Sequence, residues 1–114
     1  MVFVYAITPR ISSGGGDYKT RLTAALADIR GGIKIALDNY KTDNGVYPKS
    51  FSGLIQRTDE ARIWHGPYLD ALPVDPWGNH YVYELPGKHN PGSYDLLSAG
   101  PDGKEGTDDD IGNW

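Results

Sequence analysis

YKTRLTAALADIRGGIKIALDNY, running from Tyr18 to Tyr40, is the stretch that decides the fold. Its apolar residues Leu22, Ala25, Leu26, Ile29, Ile33, Ala36, Leu37 and Tyr40 recur at intervals of three and four, with polar residues between them. That is the period of an amphipathic α-helix with one buried face. Asp17 or Thr20 is placed to cap its start. Asn44-Gly45 supplies residues that tolerate positive φ where a helix stops. At 1.5 Å per residue the helix spans about 35 Å, which is long for a chain of 114 residues. The stripe is therefore the spine against which the rest of the chain packs. Gly31-Gly32 interrupts it at a cost of roughly 1 kcal/mol per glycine relative to alanine, and predicts a bend or a close approach.

Downstream, Ser50 to Arg57 reads as a short helix, followed by a polar loop through Trp64-His65-Gly66-Pro67. Leu72-Pro73-Val74-Asp75-Pro76-Trp77-Gly78-Asn79 holds two prolines and a Gly-Asn pair, the composition of a rigid ordered loop. His80 to Leu85 and Ser93 to Ser98 are rich in aromatic and β-branched residues and are separated by the turn-forming run Pro86 to Gly92, so they read as antiparallel neighbouring strands. One long helix followed by a small antiparallel sheet makes an α+β fold, with no βαβ alternation to suggest a parallel sheet.

A chain of 114 residues builds one domain. Its net charge is −4 and its eleven basic residues are scattered, which argues against a nucleic-acid surface. It has no cysteine, hence no disulfide, thiolate zinc site or thiol nucleophile. Met1 to Ile7 is apolar for only seven residues, where a membrane span needs about 20. It lacks the basic start and small-residue cleavage site of a signal peptide. Residues 8 to 17 carry proline and a Gly/Ser run, the composition of a flexible connector. Residues 1–17 are accordingly set apart from a globular unit at 18–114.

The chain closes with Gly100-Pro101-Asp102-Gly103-Lys104-Glu105-Gly106-Thr107-Asp108-Asp109-Asp110-Ile111-Gly112-Asn113-Trp114. Adjacent carboxylates repel one another, so something must offset their crowding. Ca²⁺ takes six to eight oxygen ligands from carboxylates, carbonyls and water, and favours loops whose glycines let oxygens converge. Asp102, Asp108, Asp109 and Asp110 with Gly103 and Gly106 have that composition, and Ile111 and Trp114 are placed to anchor such a loop against the core. The EF-hand pattern is absent. A solvated acidic terminus accounts for the same composition.

Catalytic signatures are weak. His65, His80 and His89 lie in three separate segments, and no Ser, His and Asp arrangement carries a nucleophile signature. Asp75 with Glu84 or Asp95 can be posed as an acid/base pair, as in any acidic protein. Tyr81, Tyr83, Tyr94 and Trp77 suggest either a sugar-binding platform or, more simply, the packing of a small sheet. The chain is expected not to be an enzyme.

Four blocks in order carry a resemblance: Ala36-Leu37-Asp38-Asn39-Tyr40-Lys41-Thr42-Asp43-Asn44-Gly45-Val46-Tyr47-Pro48, then Leu72 to Asn79, then Ser98-Ala99-Gly100-Pro101-Asp102-Gly103, and finally Asp109-Asp110-Ile111-Gly112-Asn113-Trp114. Together they resemble the major pseudopilins of bacterial type II secretion systems, in the type IV pilin superfamily, over nearly the whole chain. The resemblance implies a pilin-like fold with a calcium-stapled C-terminal loop. It implies a structural subunit of a periplasmic pseudopilus, anchored in the inner membrane before assembly, that helps push folded substrates through an outer-membrane channel. Family members begin with a prepilin-peptidase site and a long apolar helix. Here that start is missing, and Val2 to Ile7 looks like the end of the helix before Pro9, so the chain is expected to be a monomeric globular portion. The implied partners are copies of the subunit in a helical filament, other pseudopilins and inner-membrane components of the system, with no nucleic acid, and the membrane only through the missing helix. The family's Ca²⁺ site falls on the side chains of Asp102, Asp109 and Asp110 and on carbonyls near Ala99 and Lys104, with Thr107 or Asp108 as a further oxygen. The Gly31-Gly32 pair and the Gly14-Gly15-Gly16 run depart from the family pattern. A type IV pilin or minor pseudopilin is the alternative within the superfamily, and a stand-alone calcium-dependent binding module the alternative outside it.

Overall fold

A computed structural model describes residues 17–59 and 61–114. The helix remnant and connector expected over 1–17 lie, but for Asp17, outside those residues. The long helix comes in three parts: α1 (Tyr18–Ala27), a π-helical turn (Asp28–Gly32) and α2 (Ile33–Asn44). The Asp17 carboxylate accepts from the Thr20 amide at 2.7 Å and caps the start. Gly45, at φ 83°, donates to the Lys41 carbonyl and stops the helix, as the turn residues predict. The helix therefore runs four residues past Tyr40.

The π turn explains how the glycine pair is used. Ala25, Ile29, Ile33 and Leu37 are all buried and stand four residues apart. In an uninterrupted α-helix each four-residue step turns about 400°, so Leu37 would sit about 120° away from Ala25 around the axis. A π turn absorbs one extra residue. The separation is then equivalent to eleven α-helical steps, about 1100°, which returns Leu37 to within about 20° of Ala25. The Ile33 amide donates to the Asp28 carbonyl, the five-residue bond that defines the turn. A continuous α-helix would instead bring Arg30 into the place of Ile29, which is only 1% exposed. Burying that unpaired guanidinium is far costlier than the turn. The Tyr81 hydroxyl, bonded to the Asp28 carboxylate at 2.6 Å, ties the turn to the sheet side of the molecule.

The remaining elements are α3 (Ser52–Ile55), β1 (Val82–Glu84), β2 (Asp95–Ser98) and β3 (Ile111–Gly112). The short helix is half the length that the sequence suggests. The sheet is antiparallel in the order β1-β2-β3, with Val82 opposite Leu97 and Ser98 opposite Ile111. The third strand has only two residues, too few for a sequence pattern. The core joins the helix stripe to Leu54, Tyr81, Tyr94, Leu96 and Ile111.

The tyrosines settle into that core. Tyr81 and Tyr94 are buried, and Tyr47, Tyr83 and Trp77 pack against the cluster. Tyr47 meets Tyr94 edge-on at 4.9 Å, and Tyr83 lies 5.6 Å from Tyr94. Burial pushes the Tyr94 phenol up to about 12, and it also raises Tyr83, whose hydroxyl donates to the Pro48 carbonyl at 2.6 Å. These rings are packing, not an exposed sugar platform.

Candidate metal centre in the C-terminal loop

The acidic segment is the connection between β2 and β3. Because Ser98 and Ile111 face each other across the sheet, residues 99–110 must leave and return at the same point. Gly100 makes the exit at φ 76°, where a side chain would collide with the Asp109 carbonyl. Gly103 and Gly106, at φ 69° and 82°, make the further bends. These are left-handed conformations that glycine adopts without penalty.

Within the loop the oxygens converge. The Thr107 hydroxyl lies 2.5 Å from Asp109 Oδ1, 3.1 Å from the Lys104 carbonyl and 3.5 Å from Asp110 Oδ1. Asp109 Oδ2 accepts from the Asp102 amide at 3.2 Å, Asp110 Oδ2 from the Gly106 amide at 2.7 Å, and Asp102 Oδ1 from the Lys104 amide at 2.9 Å. The Thr107 hydroxyl and then, against some desolvation, the Asp102 amide hold the Asp109 carboxyl below the usual carboxylate range. Of the residues that the sequence points to, Asp102, Lys104, Thr107, Asp109 and Asp110 are thus joined. Ala99 is buried at the loop's root, and the exposed Asp108 stands outside this hydrogen-bonded set.

These residues fit a hard cation. One hydroxyl proton cannot serve three oxygens, and the donors around the acids are three backbone amides and that hydroxyl. Among the described residues the one ion pair joins Lys34 and Asp38 at 2.6 Å, so no cationic side chain neutralises the loop. Among the described residues no three His, Asp or Glu side chains are placed so that they could hold a metal ion by themselves. The donor set is instead a mixture of carboxylate, hydroxyl and carbonyl oxygen, the kind that Ca²⁺ takes.

Two buried carboxylates outside the loop hold turns, and the first of them reaches the loop's root. Asp75 accepts from the amides of Trp77 and Asn79 through Oδ1 and from the Ser98 hydroxyl through Oδ2, at 3.0, 2.9 and 2.5 Å. Asp95 accepts from the amides of Lys88, His89 and Asn90 at 2.8 to 3.0 Å. Burial by itself would raise the Asp95 carboxyl, but those amides outweigh it and hold it below the usual range. Asp75 and Asp95 are therefore turn-holders, not an acid/base pair. The Asp-Pro-Trp-Gly-Asn run is the sequence signal for the first, since an Asp at the head of a turn bonds backbone amides two residues on. Ile111 anchors the loop in the core. Trp114 is half exposed and stacks on His89 at 3.9 Å instead.

Residues 15–114 match the family described as "Type II secretion system (T2SS), protein G". The chain belongs to the type II secretion protein G family. The core protein G of Escherichia coli K12 is 45% identical over 107 residues, covering 88% of this chain and 72% of that protein. Its counterpart in Pseudomonas aeruginosa is 44% identical over 118 residues, covering 95% and 80%. The crystal structure of the major pseudopilin from the type 2 secretion system of enterohaemorrhagic E. coli superposes with a TM-score of 0.72, at 34% identity, over 84% of this chain and 88% of that one. As a protein G homologue the chain is a pseudopilin, a structural subunit of an envelope-associated secretion system and not an enzyme. No helix among the described residues is long and apolar enough to cross a membrane.

Proposed function

We propose that this chain is the periplasmic part of a pseudopilus subunit whose C-terminal loop is closed by Ca²⁺. The subunit joins copies of itself in a helical filament, together with other pseudopilins and inner-membrane components of the system, and is anchored in the inner membrane before assembly. The observation that carries the calcium reading is the gathering of Asp109, Asp110 and the Lys104 carbonyl around one Thr107 hydroxyl, with no side-chain cation among the described residues to neutralise them. Asp102, Asp109 and Asp110 would supply carboxylate oxygens, and Lys104, Thr107 and the region of Ala99 neutral ones. When bound, the ion supplies positive charge that turns carboxylate repulsion into attraction. The loop so fixed presents one shape to a neighbouring subunit. A free-standing sugar-binding module is disfavoured by the burial of Tyr81 and Tyr94.

The experiment is thermal unfolding in CaCl₂, EGTA and MgCl₂, with Asp109→Ala beside the wild type. At free calcium one hundred times Kd, linkage adds about 2.7 kcal/mol of stability, a midpoint rise on the order of 10 °C for a domain of this size. The rise should be specific to calcium and absent in Asp109→Ala. One superimposed curve in all three solutions would refute the calcium reading. For the filament, the full-length protein with the same substitution should assemble poorly in cells that carry the secretion system.

A further inference from the structure

The loop's root is held by a buried relay that begins well outside the acidic segment. Asp75 is 4% exposed and Ser98 fully buried. The Ser98 hydroxyl donates to Asp75 Oδ2 at 2.5 Å and accepts from the Gly100 amide at 3.1 Å. Gly100 is the residue whose Cα faces the Asp109 carbonyl so closely that no Cβ fits. Asp75 also fixes Asn79 through its amide, and the Asn79 side chain lies against Gly103, within 3.3 Å of where a Cβ would stand. Both bends that aim Asp102 and Asp109 are thus linked to the turn around Asp75, Gly100 through the Ser98 hydroxyl and Gly103 through the Asn79 side chain.

From this geometry we infer that Asp75 and Ser98 are positioning residues for the cation: the carboxylate orients the hydroxyl, the hydroxyl seats the Gly100 amide, and that seat sets the separation of Asp102 from Asp109. The inference rests on the calcium reading of the loop and adds two residues that touch none of its ligand oxygens. Groups that orient metal ligands from outside typically govern affinity by 10- to 100-fold. The hydrogen-bond balance is consistent, since the Ser98 hydroxyl donates to Asp75 and accepts from the Gly100 amide.

The test compares wild type, Ser98→Ala, the nearly isosteric Asp75→Asn and, as a control, Tyr81→Phe, which loses a hydrogen bond to Asp28 far along the chain from the loop. Calcium affinity is measured by titration calorimetry with CaCl₂, and exchange of the Gly100 amide is followed by NMR in EGTA. Ser98→Ala and Asp75→Asn should each weaken calcium binding at least 10-fold and expose the Gly100 amide to rapid exchange even without metal. Tyr81→Phe should change neither. If Ser98→Ala does not fold, Asp75→Asn alone carries the comparison. Wild-type affinity and a protected Gly100 amide in either folded variant would overturn the inference while leaving the calcium site intact, as would an equal loss in Tyr81→Phe. A wild type that binds no calcium would sink the reading beneath it as well.

Discussion

Deleting Gly32 should leave the protein folded and at least as stable as the parent. A one-residue deletion in the middle of a helix ordinarily rotates everything on one side of it by about 100°. Were residues 28–32 plain α-helix, Asp28 would swing into the site of Ile29 and Ala24 into that of Ala25, positions now 1% and 0% exposed. Loss of a buried isoleucine together with burial of a carboxylate would cost several kcal/mol, and a domain of this size has only about 5–15 to lose. In the observed structure the deletion removes the residue that the π turn absorbs. Ala25, Ile29, Ile33 and Leu37 would then follow spacings of four, three and four, the α-helical sequence of steps, with every side chain where it is now. One glycine fewer in a helix contributes up to about 1 kcal/mol, a midpoint gain of about 3–6 °C. Outside the helix's own backbone, a Cβ added at Gly31 or Gly32 would meet no atom within 4 Å, so no close contact requires a glycine there. The assay is calorimetric unfolding of the deletion variant beside the parent, with Tyr18–Trp77 contacts, 5.9 Å between ring centroids here, followed by NMR. A midpoint lowered by more than about 10 °C, or loss of the Tyr18–Trp77 contact with α2 still intact, would refute the register argument.

Two further outcomes follow from the glycines and the buried carboxylates. Gly100→Ala and Gly106→Ala impose nearly the same positive φ, about 1–2 kcal/mol each, but only the first meets the Asp109 carbonyl. Calorimetry with and without CaCl₂ should therefore find the calcium response abolished in Gly100→Ala and retained in Gly106→Ala; equal responses would contradict the crowding at Gly100. Asp95 is held below the ordinary aspartate range, so its contribution is complete above the unfolded value, about 3.9, and is lost as pH falls through the lower folded value. Asp95→Asn should be less stable than the parent near pH 6, with the gap between them closing as pH falls below the ordinary aspartate range; a gap independent of pH in denaturant titrations would show that the carboxylate charge plays no part.

The long helix and the two longer strands are legible in the sequence because each repeats a period over enough residues to stand out. The π turn leaves a fainter mark in the same residues. Four successive core positions at spacing four, Ala25 to Leu37, exceed what an α-helix can keep on one face, and the glycine pair marks where the excess is absorbed. The third strand is not legible, since two residues, Ile111 and Gly112, form no alternation, and their pairing depends on where β2 lies. The role of Asp95 is hidden for a different reason. Its partners are mostly backbone amides, which every residue but proline carries, so nothing in the identities of residues 88–90 announces the contact.

The acidic loop is legible in composition but not in architecture. From Asp102 to Asp110 it holds five acids and one lysine. Its fold brings three backbone amides and one threonine hydroxyl to those acids and no cationic side chain among the described residues. Amides lessen the repulsion between carboxylates but do not neutralise them, and a hydroxyl shared among three oxygens satisfies one at a time. A loop built only to be solvated would lower its energy by letting the acids splay apart into water. This one is rooted through Gly100 and Ser98 on a carboxylate in the core and returns the Asp109 carbonyl against Gly100. Holding like charges together in that way favours a positive partner, and the divalent ion proposed above, coordinated by mixed oxygens, is one that the donor set suits.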